Sequence, residues 1–298
     1  YRSYYGPNNA VISLAGDITP ERALALVTQY FGAIPPGPPL PRTQRWIPRL
    51  DSDIRSEMED RVPQARIYRS YHAPAVGDPE LSRLSLLAEV LAGSKSARLE
   101  RRLVYEKGLA TAVNAGVNDA ELGSTFNIIV TVKPGVAPAD AEREMDNVLR
   151  ELLAQGPTAA ELARVKTSGL AAFARANERL GRRADLLAEN ATFGATPEAY
   201  LDQLEAAAKA TPEQVKRSGA AWLNAHSHTM TVKPFAQLAV EKPTLDRKLL
   251  PALGTPPDVA FPAIERAQLK NGVKVVLLQR HTAPIVNVTL ALDAGSAS

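Results

Sequence analysis

The spacing of apolar positions divides the chain into strands and helices separated by breaks that carry proline or glycine. Residues 10–15, Ala-Val-Ile-Ser-Leu-Ala, are an apolar run of strand length. Gly16 and Asp17 offer a turn after it, Thr19 suits a helix N-cap and Pro20 the first helical position, so a helix is predicted to about Tyr30. Residues 32–48 then hold six prolines, Pro35, Pro36, Pro38, Pro39, Pro41 and Pro48. Each removes a backbone donor and turns its predecessor away from helix, which predicts a linker.

A new unit is predicted to begin near Val62. Ala65, Ile67 and Ser70 alternate loosely with Arg66, Tyr68 and Arg69, as in a partly buried strand ending at Pro74. Asp78-Pro79-Glu80 opens a helix whose apolar positions Leu81, Leu84, Leu87, Ala88 and Leu91 recur at three and four, giving one stripe to lay on a sheet. Residues 109–117 and 125–132 are two further predicted strands, with turn chemistry from Asn118, Asp119 and Gly123 between them. From Pro138 a long helical run is broken at Gly156-Pro157-Thr158, Gly194-Ala195-Thr196-Pro197 and Ala210-Thr211-Pro212-Glu213, with a capping threonine at each break. Residues 229–232 read as a closing strand. A second linker covers about 237–262, a hairpin around Asn271-Gly272 spans 268–278, and a third strand is predicted at 285–292. Strands, helix, strands and a helical run within 61–235 make an α+β layer, helices packed on one sheet, with partial domains on either side.

Composition narrows the function. A chain of 298 residues accommodates one large or two ordinary domains. It has no cysteine, which removes disulfides, thiolate catalysis and cysteine-ligated metals. The net charge is only +3, since 35 basic residues face 32 acidic ones; Glu142, Arg143, Glu144 and Asp146 typify the interleaving and read as a solvated helix face. There is no basic run with interleaved aromatics, so no nucleic-acid partner is expected, and no apolar run approaches the roughly 18 residues of a membrane span.

The candidate chemistry is sparse. Catalytic zinc takes about three protein ligands plus an open position, often from two histidines one helical turn apart. The four histidines here, His72, His226, His228 and His281, form neither H-E-x-x-H nor H-x-x-E-H. His226 and His228 are placed to share one face of a strand and to bind metal adventitiously, without an identifiable third ligand. His72 at a strand end and His281 beyond the hairpin read as satisfied or solvated. Neither a G-x-S-x-G elbow nor a phosphate-cradling glycine loop occurs. Glu57, Glu59 and Asp60 lie in or beside the first linker and, like Glu142, Glu144 and Asp146, read as solvated charge. No catalytic residue and no metal ligand is predicted in this chain.

Three segments carry a family resemblance. Tyr1-Arg2-Ser3-Tyr4-Tyr5-Gly6-Pro7-Asn8-Asn9-Ala10, with Gly16-Asp17 and Tyr30-Phe31-Gly32, resembles the end of the zinc domain of pitrilysin/insulinase peptidases, the inverzincin type. Ser96-Ala97-Arg98-Leu99 and Leu103-Val104-Tyr105-Glu106-Lys107-Gly108-Leu109-Ala110 resemble the helix-to-strand signature of that family's next domain. Leu269-Lys270-Asn271-Gly272-Val273, with Pro284 and Gly295-Ser296, resembles the opening of a third.

The resemblance implies an internal fragment of a two-half zinc metalloendopeptidase. Residues 1–50 would close the zinc-type domain, 51–235 form a second, non-zinc pitrilysin-like domain with a mixed or antiparallel sheet, 236–262 link, and 263–298 open a third. The H-x-x-E-H motif and a downstream glutamate would precede Tyr1, so zinc is expected in the parent and no cofactor in this segment. The implied role is a chamber wall and inter-half linker for peptide hydrolysis. The alternative is an inactive structural or partner subunit of the same family. The implied partners are a peptide substrate and the other half of the chain or a related subunit, and resemblance to bacterial two-half members implies a periplasmic parent. Alignment through Gly108-Leu109-Ala110 places Val104 and Thr111 where the family carries a substrate-holding arginine and tyrosine, so no substrate-binding residue is expected here.

Overall fold

The computed structural model describes residues 4–41, 43–194, 196–235, 263–279 and 286–290. Contacts divide the chain into two units, Tyr1–Val240 and Glu241–Ser298.

The first unit begins with helix α1 (Pro20–Phe31), where Thr19 caps by accepting from the Arg22 N–H at 3.3 Å, as its sequence predicts. Five strands follow in chain order: β1 (Ile54–Asp60), β2 (Arg66–Ala73), β3 (Ala110–Asn118), β4 (Ser124–Val132) and β5 (His228–Pro234). They form one sheet in the order β1-β5-β2-β4-β3, with β1 parallel to β5 and the other pairs antiparallel. This is the α+β fold expected, with a mixed sheet.

Burial alternates along the central strands. Ile67, Arg69 and Tyr71 of β2 pair with Val130, Ile128 and Phe126 of β4 and are buried with them on one face, which Ala73 and Val132 extend. That face is covered by α2 (Pro79–Ala92), α3 (Pro138–Gln155) and α7 (Pro212–Leu223). Leu84, Leu87 and Leu91 of α2 and Met145 and Leu152 of α3 are fully buried in this core. Between α3 and α7 lie α4 (Ala159–Ala176), α5 (Leu180–Phe193) and α6 (Ala199–Lys209). Capping boxes at Thr158 with Glu161 and at Thr211 with Gln214 fix the starts of α4 and α7. The third predicted cap differs: α6 starts at Ala199, and Thr196 takes part through its carbonyl, which accepts from the Ala199 N–H at 3.2 Å. Glu198, at φ −90° and ψ 0°, closes a turn there instead of the first helical turn.

Three sequence expectations are corrected. Residues 10–15 form no strand, and Val11, Ile12 and Leu14 stand 44%, 49% and 53% exposed; an apolar run becomes a strand only beside a partner for its backbone groups, and none of the described residues supplies one. Glu57, Glu59 and Asp60 belong to β1, not to a linker. Its sequence is polar and its side chains largely exposed, so it shows no alternation; it forms by backbone pairing with β5, distant in sequence. The predicted strand at 285–292 is absent over its described part, 286–290, where Val286 and Val288 are almost fully exposed.

The second unit contains the expected hairpin, β6 (Ile264–Gln268) against β7 (Lys274–Leu278). Gly272 turns the chain at φ +91°, a conformation that side chains other than glycine's disfavour.

Gly219 marks a close approach of three helices. A Cβ there would meet Leu87 Cδ1 at 2.7 Å and Leu153 Cδ2 at 2.9 Å, between α7, α2 and α3. Alanine gains about 1 kcal/mol of helix propensity but forces overpacking that costs about 1–3 kcal/mol. Gly219→Ala is expected to lower the urea midpoint despite its better propensity; a raised midpoint would show that the three helices do not meet there.

Candidate functional site

The two faces of the sheet differ in chemistry, and the covered one carries a charged cluster within its apolar core. Arg69 lies mid-strand in β2 with its side chain 8% exposed. Its guanidinium donates to Glu142 and Asp146 of α3, and its Nε donates to Thr229 Oγ1 of β5 at 3.0 Å. Glu142 also receives two hydrogen bonds from Arg55 of β1, at 2.5 and 3.2 Å. Burial pushes the Asp146 carboxyl up, against the downward pull of Arg69. Burial likewise raises the Tyr71 hydroxyl, next to the same guanidinium. A cleft of about 310 Å³ lined by Arg55, Ala139, Glu142, Arg143, Asp146 and Arg150 opens beside this cluster.

The opposite side of α3 is anchored in a second cluster. Glu144 takes Lys107 Nζ at 2.7 Å and Arg102 Nη1 at 3.3 Å, from the π-helical segment Glu100–Glu106 and the residue after it. A third joins the start of α4 to the lead-in of that segment: Arg98 donates to both oxygens of Glu161 at 2.8 Å and to the Gly156 carbonyl at 3.1 Å. Glu142 and Glu144, read from sequence as solvated, are therefore buried and paired. Helical spacing gives the face on which a residue lies, not what covers it, and the covering groups come from strands and turns remote in sequence.

The uncovered face of the sheet carries rows of neutral side chains. Ile54, His228, Ser70, Asn127 and Gly116 stand abreast across the five strands, with Ser56, Met230, Tyr68, Ile129 and Asn114 in the adjacent row. Ser56 Oγ lies 2.8 Å from His228 Nε2, and Ser70 Oγ donates to Asn127 Oδ1 at 2.7 Å. His226 lies before β5 begins, with Nδ1 3.6 Å from Asp53 Oδ1. Asp53 also accepts from the Ser227 N–H at 2.8 Å, the main cause of its lowered pKa. His226 and His228 thus engage different partners instead of converging on one metal. His72 is half-buried on the neutral face, in register with Thr125, and His281 lies outside the described residues. Among the described residues no three histidine or carboxylate side chains gather to hold a metal.

Val104 sits in the π-helical segment and packs against the core. Thr111 is exposed at a bulge in β3 and donates to Gln64 Oε1 at 2.9 Å. Neither presents a charged or phenolic group to a ligand. Among the described residues the Ser56–His228 pair has no third side chain bonded to the imidazole to orient it.

Comparison with known proteins follows this picture. The family described as the peptidase M16 inactive domain matches residues 1–168. The chain is 25% identical over 200 residues to a zinc protease, PqqE, of Helicobacter pylori, covering 65% of this chain and 45% of that protein. The crystal structure of a protease from Helicobacter pylori superposes with a TM-score of 0.72 at 22% identity, over 78% of this chain and 57% of that one. The crystal structure of a peptidase M16 inactive domain from Pseudomonas fluorescens gives 0.64 at 22% identity, over 74% and 52%. The chain therefore spans about half the length of these relatives.

The Arg98 cluster has a pH signature. Hydrogen bonds from Arg98 hold the Glu161 carboxyl down to about 2 against the opposing effect of burial, with help from the Thr158 N–H and hydroxyl. A depressed carboxyl contributes stability that is complete above its unfolded value of 4.5 and is lost as pH falls through about 2. Glu161→Gln is expected to cost about 1–2 kcal/mol at neutral pH. The gap between variant and wild type should close on acidification through that window in urea titrations; a gap that stays constant with pH would contradict the assignment.

Proposed function

The chain belongs to the peptidase M16 inactive-domain family, and from that premise we propose that it serves as the non-catalytic wall and inter-half linker of a zinc-dependent peptidase. In this reading residues 1–50 close a preceding zinc-type domain, 51–235 form the second domain, 236–262 link, and 263–298 open a third. Zinc and its general base belong to the preceding domain of a periplasmic parent, and a peptide is the substrate of the whole. Val104 and Thr111 leave the grip on substrate to the downstream half.

The observation that carries the reading is the use of this chain's charged groups. Glu142, Glu144, Asp146 and Glu161, among the buried or half-buried acids of the described residues, pair with Arg55, Arg69, Arg98, Arg102 and Lys107 to fasten helices and strands. The uncovered surfaces support a place in a larger assembly. α1 buries no residue, with Leu24 and Tyr30 each 68% exposed, and the open sheet face is neutral in its two central rows. Such apolar and uncharged surface suits contact with neighbouring domains better than contact with water.

The isolated chain is expected to retain no stoichiometric zinc after dialysis and to cleave no peptide. Elemental analysis with a fluorogenic peptide assay checks this. One tightly held zinc per chain, together with chelator-sensitive cleavage, would overturn the reading.

A further inference from the structure

The turn joining α4 to α5 concentrates positive charge that ion pairs within the fold leave largely unneutralised. α4 buries Leu162 and Val165 near its start and nothing beyond them, and α5 buries no residue. In residues 175–183 four arginines, Arg175, Arg179, Arg182 and Arg183, face one acid, Glu178, a net charge of +3 that equals that of the whole chain. All of these residues except the half-buried Asn177 are exposed. Arg183 Nε donates to the Asn177 carbonyl at 2.6 Å, and Arg182 stands 3.4 Å from Glu189 in an exposed pair. Arg175, Arg179 and Arg183 enter no ion pair among the described residues.

Folding accounts for Arg175, a cation in the last turn of α4, and for the bond from Arg183 to the Asn177 carbonyl, but not for the concentration of charge as a whole. Arg182 and Arg183 stand in the opening turn of α5, which holds no acid, and cations there oppose the helix dipole. A local conflict of this kind is typical of surface retained for contact with another molecule.

We propose that the α4–α5 turn is a docking surface for a carboxylate-rich polypeptide segment. This goes beyond the peptidase reading and does not depend on it. Arginine forks pair with carboxylates two bonds at a time, which suits a cluster of four for an acidic segment. A lipid surface fits less well. Membrane docking needs a continuous apolar face, whereas this turn offers Leu180 alone, 51% exposed. Single-stranded nucleic acid would need aromatic platforms; the nearby Phe173 is stacked on Tyr200 with centroids 5.9 Å apart.

The test is fluorescence anisotropy of a labelled poly-glutamate peptide titrated with the full chain at rising salt. Affinity should fall with salt, as screening requires, and should fall at least about tenfold when Arg175, Arg179, Arg182 and Arg183 are all changed to Gln. Replacing Arg143 and Arg150 of α3 by Gln should leave it unchanged. Circular dichroism verifies that the quadruple variant folds; should it lose helix, Arg179→Gln and Arg183→Gln are measured singly, each expected to weaken binding about two- to threefold. Undiminished peptide affinity in these variants would overturn the proposal. So would tighter binding of the chain to phosphatidylcholine–phosphatidylglycerol vesicles than to the peptide.

Discussion

A guanidinium buried in the middle of a strand has to be met by anions, and Arg69 sets that requirement for the whole first unit. Its neighbours in β2, Tyr68 and Ser70, face the open side, so Arg69 points under the helices. There Glu142 and Asp146, one turn apart on α3, and Thr229 on β5 complete its hydrogen bonds. Glu142 also receives Arg55, so one carboxylate holds both a central strand and the edge strand β1 against the same helix. Removing one partner of such a buried pair leaves an uncompensated charge, at a typical cost of about 3–5 kcal/mol. The position of α3 over the sheet is thus fixed by charge as well as by the packing of Met145 and Leu152.

What the sequence made legible follows the range of each signal. Thr19, Asp78, Thr158 and Thr211 announced helix starts because a cap and its helix are adjacent in the chain. β2 and β4 were legible because each buries one face only. β1 was not, since its Ile-Arg-Ser-Glu-Met-Glu-Asp pattern has no alternation and its partner is β5, far along the chain. The burial of Glu142 and Glu144 was hidden for the same reason: Arg55, Arg69, Arg102 and Lys107 reach α3 only in three dimensions. The arginine turn escaped notice because its charges straddle the end of one helix and the start of the next, with no aromatic among them.

The charged cluster enclosed in the covered face, beside an open face neutral in its two central rows, agrees with a part whose charges are structural. Histidines that read as a possible metal pair are separated by the start of β5, His226 toward Asp53 and His228 toward Ser56. Under the proposed reading the reactive groups lie in another domain, and the residues here serve as a firm support for it. Such a support benefits from buried charge pairs, which resist sliding of a helix over a sheet because a shifted register would strand both partners.

The central claim, that charged contacts fix α3 on the sheet, is tested most directly by a double-mutant cycle of Arg69→Met and Glu142→Leu followed by urea unfolding. Each single change is expected to cost about 3–5 kcal/mol, and the double variant to lose at least about 2 kcal/mol less than the sum. Additive losses would contradict the claim, since they would mean that the two side chains support the fold independently.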